Sequence, residues 1–311
     1  MLSRIEKIFA SNRFVSSFLR RSKSIYPPGF EGIPLFAMLR FLHRQVKTIG
    51  ITERAAAISY NFIMSLPPSF LFFFTLIPYL PFIPMPSLRI QLHSLIYDIV
   101  PGREYNTELI KFVDSFMEGT QIGILSSGLL LSLFFASNAV MGLMRAFNKN
   151  YTGFEQRKGL RRRWMAIKLT MLMFGLLLVY LFLLIMQGNL LALIVEDSRW
   201  REVISYGRWV LMIVLVFFAI AFIYKYAPGI QKGWKLFSPG TIIATVLSLI
   251  SSFGFSVFVN NFGRYNALYG SISIIMVLMA LIYINSLVLL IGFEINVGIS
   301  TLKGEVSHLK T

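Results

Sequence analysis

The side chains in this 311-residue chain that could do chemistry are mostly neutral hydrogen-bonding groups set in apolar sequence. Asn61, Ser65, Ser126, Ser127, Asn138, Ser248, Ser252, Tyr283 and Asn285 stand among Leu, Ile, Phe, Val and Ala. Groups of this kind either line a path for a neutral or amphiphilic solute or stitch helices together, and they lack the titratable oxygen of a carboxylate proton relay. Six small residues, Gly240, Ala244, Ser248, Ser252, Ser256 and Asn260, recur every four positions. On a helix such a row makes a groove that admits a neighbouring backbone. A packing seam is the favoured reading and the wall of a polar pathway the alternative. Gly128, Ser132 and Ala136 form a shorter version. Charged groups fall at the ends of the apolar stretches, where Glu294 with Arg145 or another basic residue makes a terminal pair.

Other chemistries lack their residues. His43, His93 and His308 are far apart and belong to no HExxH or similar cluster, so no metal-ligand set is legible. There is no Walker A sequence, and Gly263-Arg264-Tyr265-Asn266 has neither the glycine spacing nor the preceding strand of a dinucleotide site. Absence of cysteine excludes thiol catalysis and disulfides. The expectation is a protein with no cofactor and no enzymatic activity.

The elements that must position these groups are membrane helices. Hydrophobic residues are 56% of the chain and charged residues 14%, too few to coat a soluble protein of this size. Six stretches reach the roughly 20 residues needed to cross a bilayer: about 56–79, 119–144, 167–187, 209–224, 239–259 and 271–293. The fourth is short, with Arg208 and Lys225 placed to extend it by snorkelling. These lengths argue against barrel strands. The fold class expected is an all-α polytopic membrane protein with six transmembrane helices and short amphipathic interfacial helices. An N-terminal arm occupies residues 1–54, the transmembrane domain 55–296, and a tail 297–311.

Charge orients the bundle. The connectors alternate, so that one side carries 23 Lys/Arg against 6 Asp/Glu and the other 7 against 8. The positive-inside rule then makes both termini cytoplasmic. The net charge of +16 is therefore a record of orientation, and no nucleic-acid partner is expected. The run Arg161-Arg162-Arg163 beside a span is read as a contact for anionic lipid head groups. Trp164, Trp200 and Trp209 are interfacial-belt candidates, whereas Trp234 packs in its loop. No cleavable signal peptide is legible in the first 50 residues.

Outside the spans, the arm predicts two amphipathic helices around Pro27-Pro28-Gly29, with Ile33, Phe36, Ala37, Arg40 and Arg44 presenting a face to the inner membrane surface. In the external segment, 86–118, two apolar stripes separated by Pro101-Gly102 predict two helices. An interfacial loop without a specific role is the favoured reading, and a gate or lid the alternative. Within the first span, Pro67 and Pro68 predict a kink or break near mid-membrane, either structural or of the kind transporters use.

Three blocks resemble the YihY/virulence factor BrkB family of bacterial inner-membrane proteins, once labelled ribonuclease BN. The first is Arg54-Ala-Ala-Ala-Ile-Ser-Tyr60 before the proline-containing span. The second runs from Ala139 to Glu155, with Arg145, Phe147, Asn148, Tyr151 and Glu155 at characteristic positions. The third runs from Ser238 to Asn296. It holds Pro239 and Gly240, the loop residues Asn261, Gly263, Tyr265, Asn266, Tyr269 and Gly270, and the closing Gly292, Glu294 and Asn296. The resemblance implies six spans, cytoplasmic termini, an inner-membrane location and no established catalytic residues. It implies transport or export as the usual expectation. A transporter of a small organic, amphiphilic or lipid-like solute is therefore favoured. An envelope scaffold or partner-binding membrane protein is the alternative, and RNA processing ranks last for want of metal ligands. The fifth-span groove serves an internal seam or a homo-oligomer equally well.

Overall fold

The computed structural model describes residues 24–76, 130–148, 159–185, 198–229, 234–261 and 272–308, together with Ser22 and seven helical positions between 89 and 114. All regular structure among these residues is helical. In chain order the helices are α1 (Leu35–Ile49), α2 (Ile51–Leu76), α3 (Asn138–Phe147), α4 (Gly159–Ile185), α5 (Ser198–Tyr226), α6 (Pro239–Asn261) and α7 (Ile272–His308). Helical residues 130–136 lead into α3 through Ser137. Five segments among the described residues are long and apolar enough to cross a membrane: Leu130–Phe147, Gly159–Tyr180, Tyr206–Tyr226, Pro239–Phe258 and Met276–Lys303. The chain is thus an all-α, multi-pass membrane protein. The remaining expected span, 56–79, is helix as far as Leu76 and continues outside the described residues.

α7 organises the bundle, packing against α6, α2 and α1. Arg54 meets Glu294, and Ser59, further along α2, meets Ser286, earlier on α7; the two helices are therefore antiparallel. Gly240 with Asn296 and Ser248 with Asn285 give α6 and α7 the same relation. The core is concentrated at one end, where the start of α2 and α6 meets the end of α3 and α5 and the later part of α7. Its buried residues include Ile51, Ile58, Leu143, Phe147, Ile220 and Phe293.

Towards the other end, the described parts of α6 and α7 are mostly exposed, largely through apolar side chains. From Phe253 to Phe258 every α6 residue except Phe255 is exposed, and from Met276 to Ala280 every α7 residue except Val277. A helical turn takes 3.6 residues, so consecutive exposure means that these helices are uncovered on nearly all sides there.

Several elements depart from the sequence expectation. The sixth helix does not stop at 293; α7 continues to His308, and the residues assigned to a tail are largely helix. They are held there by α1, whose Met38, with Phe30 and Ile33 before it, packs on Ile295 and Ile299. The arm's apolar face therefore covers α7, while Arg40 and Arg44 point outward. The short fourth span is part of a longer helix, α5, and Arg208 is buried near the Trp209 ring, which replaces the snorkelling expected of it. α2 passes through Pro67 and Pro68 without breaking. The prolines leave the Ile63 and Met64 carbonyls without an amide donor. On either side of that gap Ser65 donates to the Phe62 carbonyl at 2.7 Å and Ser69 to the Ser65 carbonyl at 2.6 Å.

Candidate functional site

The sealed end of the bundle is built around an ion pair. Arg54 sits in the first turn of α2, followed by Ala55, whose small side chain is fully buried, while Ala56 and Ala57 are exposed. Its guanidinium Nη1 donates to Glu294 Oε1 at 2.6 Å, and Nε donates to the Ala146 carbonyl near the end of α3 at 3.0 Å. Arg54 is 3% exposed and Glu294 0%. Three helices are thereby tied at one point. Of the partners expected for Glu294, Arg145 or another basic residue, the structure supplies another, Arg54. Because α7 runs on for more than three turns, Glu294 lies mid-helix rather than at a terminus, wholly inside the protein.

Aromatic side chains close over the pair. Phe147 and Phe293 stack at 4.2 Å with an interplanar angle of 3°. Trp234 meets Phe293 edge-on at 5.4 Å, and Tyr224 meets Phe147 at 6.0 Å. Such pairs add about 0.5–1.5 kcal/mol each beyond burial. Trp234 thus packs from its loop, as expected, but onto α7. The Tyr224 hydroxyl donates to the Leu289 carbonyl at 2.7 Å.

Below the aromatics, α6 and α7 touch backbone to backbone. A Cβ at Gly240 would collide with the Gly292 carbonyl oxygen, and one at Gly292 with the Tyr224 hydroxyl and, at 2.6 Å, with Ala244 Cβ. Asn296 ties the start of α6: its Oδ1 accepts from the Gly240 amide at 2.9 Å and its Nδ2 donates to Ser238 Oγ at 2.8 Å. Ser238 Oγ also accepts from the Thr241 amide at 3.3 Å, an N-cap bond. Asn148, after α3, accepts from the Gly229 amide at 2.7 Å. Pro239 receives Gly29 of the arm's turn. Phe147, Asn148, Pro239, Gly240, Gly292, Glu294 and Asn296, distant in sequence, are thus gathered at one end.

The remaining polar residues are dispersed. Further along the α6–α7 seam Ser248 donates to Asn285 Oδ1 at 2.5 Å, and Asn285 Nδ2 donates to Ser252 Oγ at 3.4 Å and to the Leu281 carbonyl at 3.1 Å. The node uses both amide protons of Asn285, which favours the seam reading of the four-residue row here. Tyr283 is half-buried against the main core. Asn61 lies over Gly142, bonds the Ala57 carbonyl at 2.6 Å and accepts from exposed Arg145 at 3.5 Å; Tyr60 beside it is exposed. Asn138 accepts from Arg163 Nη1 at 2.7 Å, and the same guanidinium lies 3.4 Å from the Phe134 ring centre and bonds the Phe134 carbonyl. Arg163 is thereby held against the start of α3 and the helical turn before it. Asn261 closes α6, its side chain outside the description. Ser126, Tyr151, Glu155, Gly263, Tyr265, Asn266, Tyr269 and Gly270 lie outside the described residues.

Sequence reasoning missed Arg54 as the partner of Glu294, and with it Tyr224 and Ser238. The sequence signal for the pairing was slight: Arg54 stands at the start of an apolar stretch, directly before the small Ala55 that is buried with it.

The profile of the family described as virulence factor BrkB matches residues 42–310. The chain belongs to the BrkB family. Among BrkB-like relatives, the ribonuclease-like protein YfkH of Bacillus subtilis is 31% identical over 257 residues, covering 78% of this chain and 88% of its own. A UPF0761 membrane protein of Tolumonas auensis is 26% identical over 263 residues, 82% of each chain, and one of Coxiella burnetii 23% identical over 261 residues, 82% of this chain and 90% of its own. No solved structure matches the chain.

Proposed function

We propose that this BrkB-family protein is a transporter of a small organic, amphiphilic or lipid-like solute in the bacterial inner membrane, with six spans and both termini cytoplasmic. The observation that carries the reading is the asymmetry of the bundle: one end is sealed by the Arg54–Glu294 pair and its aromatic cover, and the other leaves α6 and α7 uncovered. A bundle closed on one side and open on the other is what one state of an alternating-access cycle requires. The Ser248–Asn285–Ser252 node stands between the two ends as an uncharged polar contact of the α6–α7 seam. The charge count orients the sealed end toward the cytoplasm.

The non-enzymatic reading rests on the sequence, which offers neither a metal-ligand motif nor a cysteine nucleophile. The ribonuclease-like name belongs to YfkH. A second reading, an envelope scaffold, draws on the docked arm, since α1 leaves Arg40, His43 and Arg44 exposed for a partner or for anionic lipid.

Proteoliposomes loaded with fluorescent lipids and small amphiphiles decide between the readings. Transport predicts protein-dependent movement of at least one probe, slowed when Ser252→Leu fills the seam. Probes that move no faster than in empty liposomes, across the panel, would leave the scaffold reading standing.

A further inference from the structure

Arg145 is a cation on the outside of the bundle. Its Nε donates to the Met141 carbonyl at 3.3 Å and its Nη2 to Asn61 Oδ1 at 3.5 Å. Both acceptors are neutral, and both distances lie beyond the usual range for such bonds. Among the described residues no carboxylate meets it. Glu53, on the same helix as Asn61, is exposed and bonded by Thr52, and it stands about 12 Å back along α2.

The side chain also points away from the end of its span. Met141 is one turn before Arg145 in the apolar segment Leu130–Phe147, and Asn61 lies about 10 Å beyond Arg54 along α2. Snorkelling would carry the charge past Phe147; the guanidinium turns back into the span instead. A cation facing hydrocarbon is costly until an anion meets it.

The surface beside Arg145 is shaped to bring one. Ala56, Ala57, Tyr60 and Met64 are exposed at helical spacing along one flank of α2, and Leu131 is exposed on the helical residues before α3. The other flanks, with Ala55 and Ile58 on α2 and Val140 and Leu143 on α3, are buried in the core, so the exposed flanks adjoin on the outside. Asn61, seated against Gly142, joins the two helices between them. The small side chains of Ala56 and Ala57 leave room beside Tyr60, which is 61% exposed. Arg163 does not serve here, because Asn138 and the Phe134 carbonyl take up its guanidinium.

We propose that the α2–α3 groove binds an anionic membrane lipid, with the Arg145 guanidinium on the phosphodiester, Tyr60 beside the head group and the acyl chains along Met64 and Leu131. A guanidinium presents paired N–H groups that fit two phosphate oxygens. Charge and apolar surface are continuous in the groove, which suits a lipid better than a free anion. The site goes beyond the transport reading: the lipid is held there whether or not it is moved.

The full-length protein in detergent is titrated with phosphatidylglycerol or with phosphatidylcholine of the same acyl chains, and bound lipid is counted by native mass spectrometry. The native chain is expected to favour the anionic lipid. Arg145→Gln is expected to bind it about tenfold more weakly, the size of one charge-assisted contact. Arg145→Lys keeps the charge and most of the preference. Arg161→Gln, which removes an exposed charge at the start of α4, keeps all of it. An unchanged preference in Arg145→Gln overturns the inference. So does an equal loss in Arg161→Gln, because binding would then follow net charge, or in Arg145→Lys, because local structure would then be the cause. Inorganic phosphate is added as competitor and is expected to leave the lipid bound; displacement at matched concentration would mark a site for a free anion and defeat the lipid assignment.

Discussion

Desolvating a carboxylate and a guanidinium costs several kcal/mol for each ion, and their attraction offsets that cost only with good geometry and further hydrogen bonds. The net contribution of the Arg54–Glu294 pair to stability is therefore small, yet breaking it is expensive. Arg54→Ala leaves Glu294 buried without its cation and is expected to cost about 3–5 kcal/mol, read as a lowered Tm in detergent. The double change to Met and Gln recovers most of that loss. The glycines give a sharper contrast. Gly240→Ala forces a methyl against the Gly292 carbonyl and is expected to destabilise by about 1–3 kcal/mol. Gly254→Ala on the same helix meets nothing within 4 Å and is expected to be neutral or stabilising, by up to about 1 kcal/mol. Equal Tm losses at the two positions would contradict the seam. At this scale the four-residue row was legible as a groove, because spacing is a property of one helix, and Gly240, Ala244, Ser248 and Ser252 do meet α7, whereas Ser256 is exposed. The sequence did not show that Arg54 faces Glu294, because 240 residues separate them and only tertiary packing brings them together.

At the scale of elements, helix existence was legible and helix ends were not. α5 and α7 outrun their apolar stretches because neighbours cover what hydropathy alone assigns to water: α1 shields α7 beyond Glu294, and Arg208 is buried within α5. The external segment illustrates the reverse. Its two apolar stripes predicted two helices, and the described positions in both are helical, with Arg89 and His93 of the first each 2.8 Å from the carboxylate of Asp114 in the second. The Arg89 hydrogen bond, and after it His93, holds the Asp114 carboxyl below its ordinary 3.8 despite the opposing effect of burial. A depressed carboxyl stabilises the clasp above its unfolded pKa, and that contribution fades as pH falls through the lowered folded value. Spin labels at Ile90→Cys and Lys111→Cys are expected to give a narrow distance distribution at neutral pH that broadens below 3.8. With Asp114→Asn the distribution should be broad at every pH. A distribution unchanged by either treatment would show that the clasp does not hold the two helices.

At the scale of the whole molecule, composition was enough to declare a multi-pass helical membrane protein, and the alternating charge of its connectors suggests which way it lies. Neither could show that the bundle is packed at one end while α6 and α7 are mostly exposed towards the other, since apolar residues facing lipid, a neighbour or a cavity look alike in sequence. Cytoplasmic termini predict that a fluorescent-protein fusion after Thr311 glows and that an alkaline phosphatase fusion there is silent; the opposite pair of results would invert the bundle. The central claim of the transport proposal, that the end opposite the seal opens to water, is tested most directly by thiol accessibility along α6. Single cysteines at Ala244 and Ser256, introduced into the cysteine-free chain, are exposed to a water-soluble reagent in the folded and the denatured protein. The account predicts that Ser256→Cys reacts in the folded protein while Ala244→Cys reacts only after denaturation. Equal protection of both in the folded protein would contradict it.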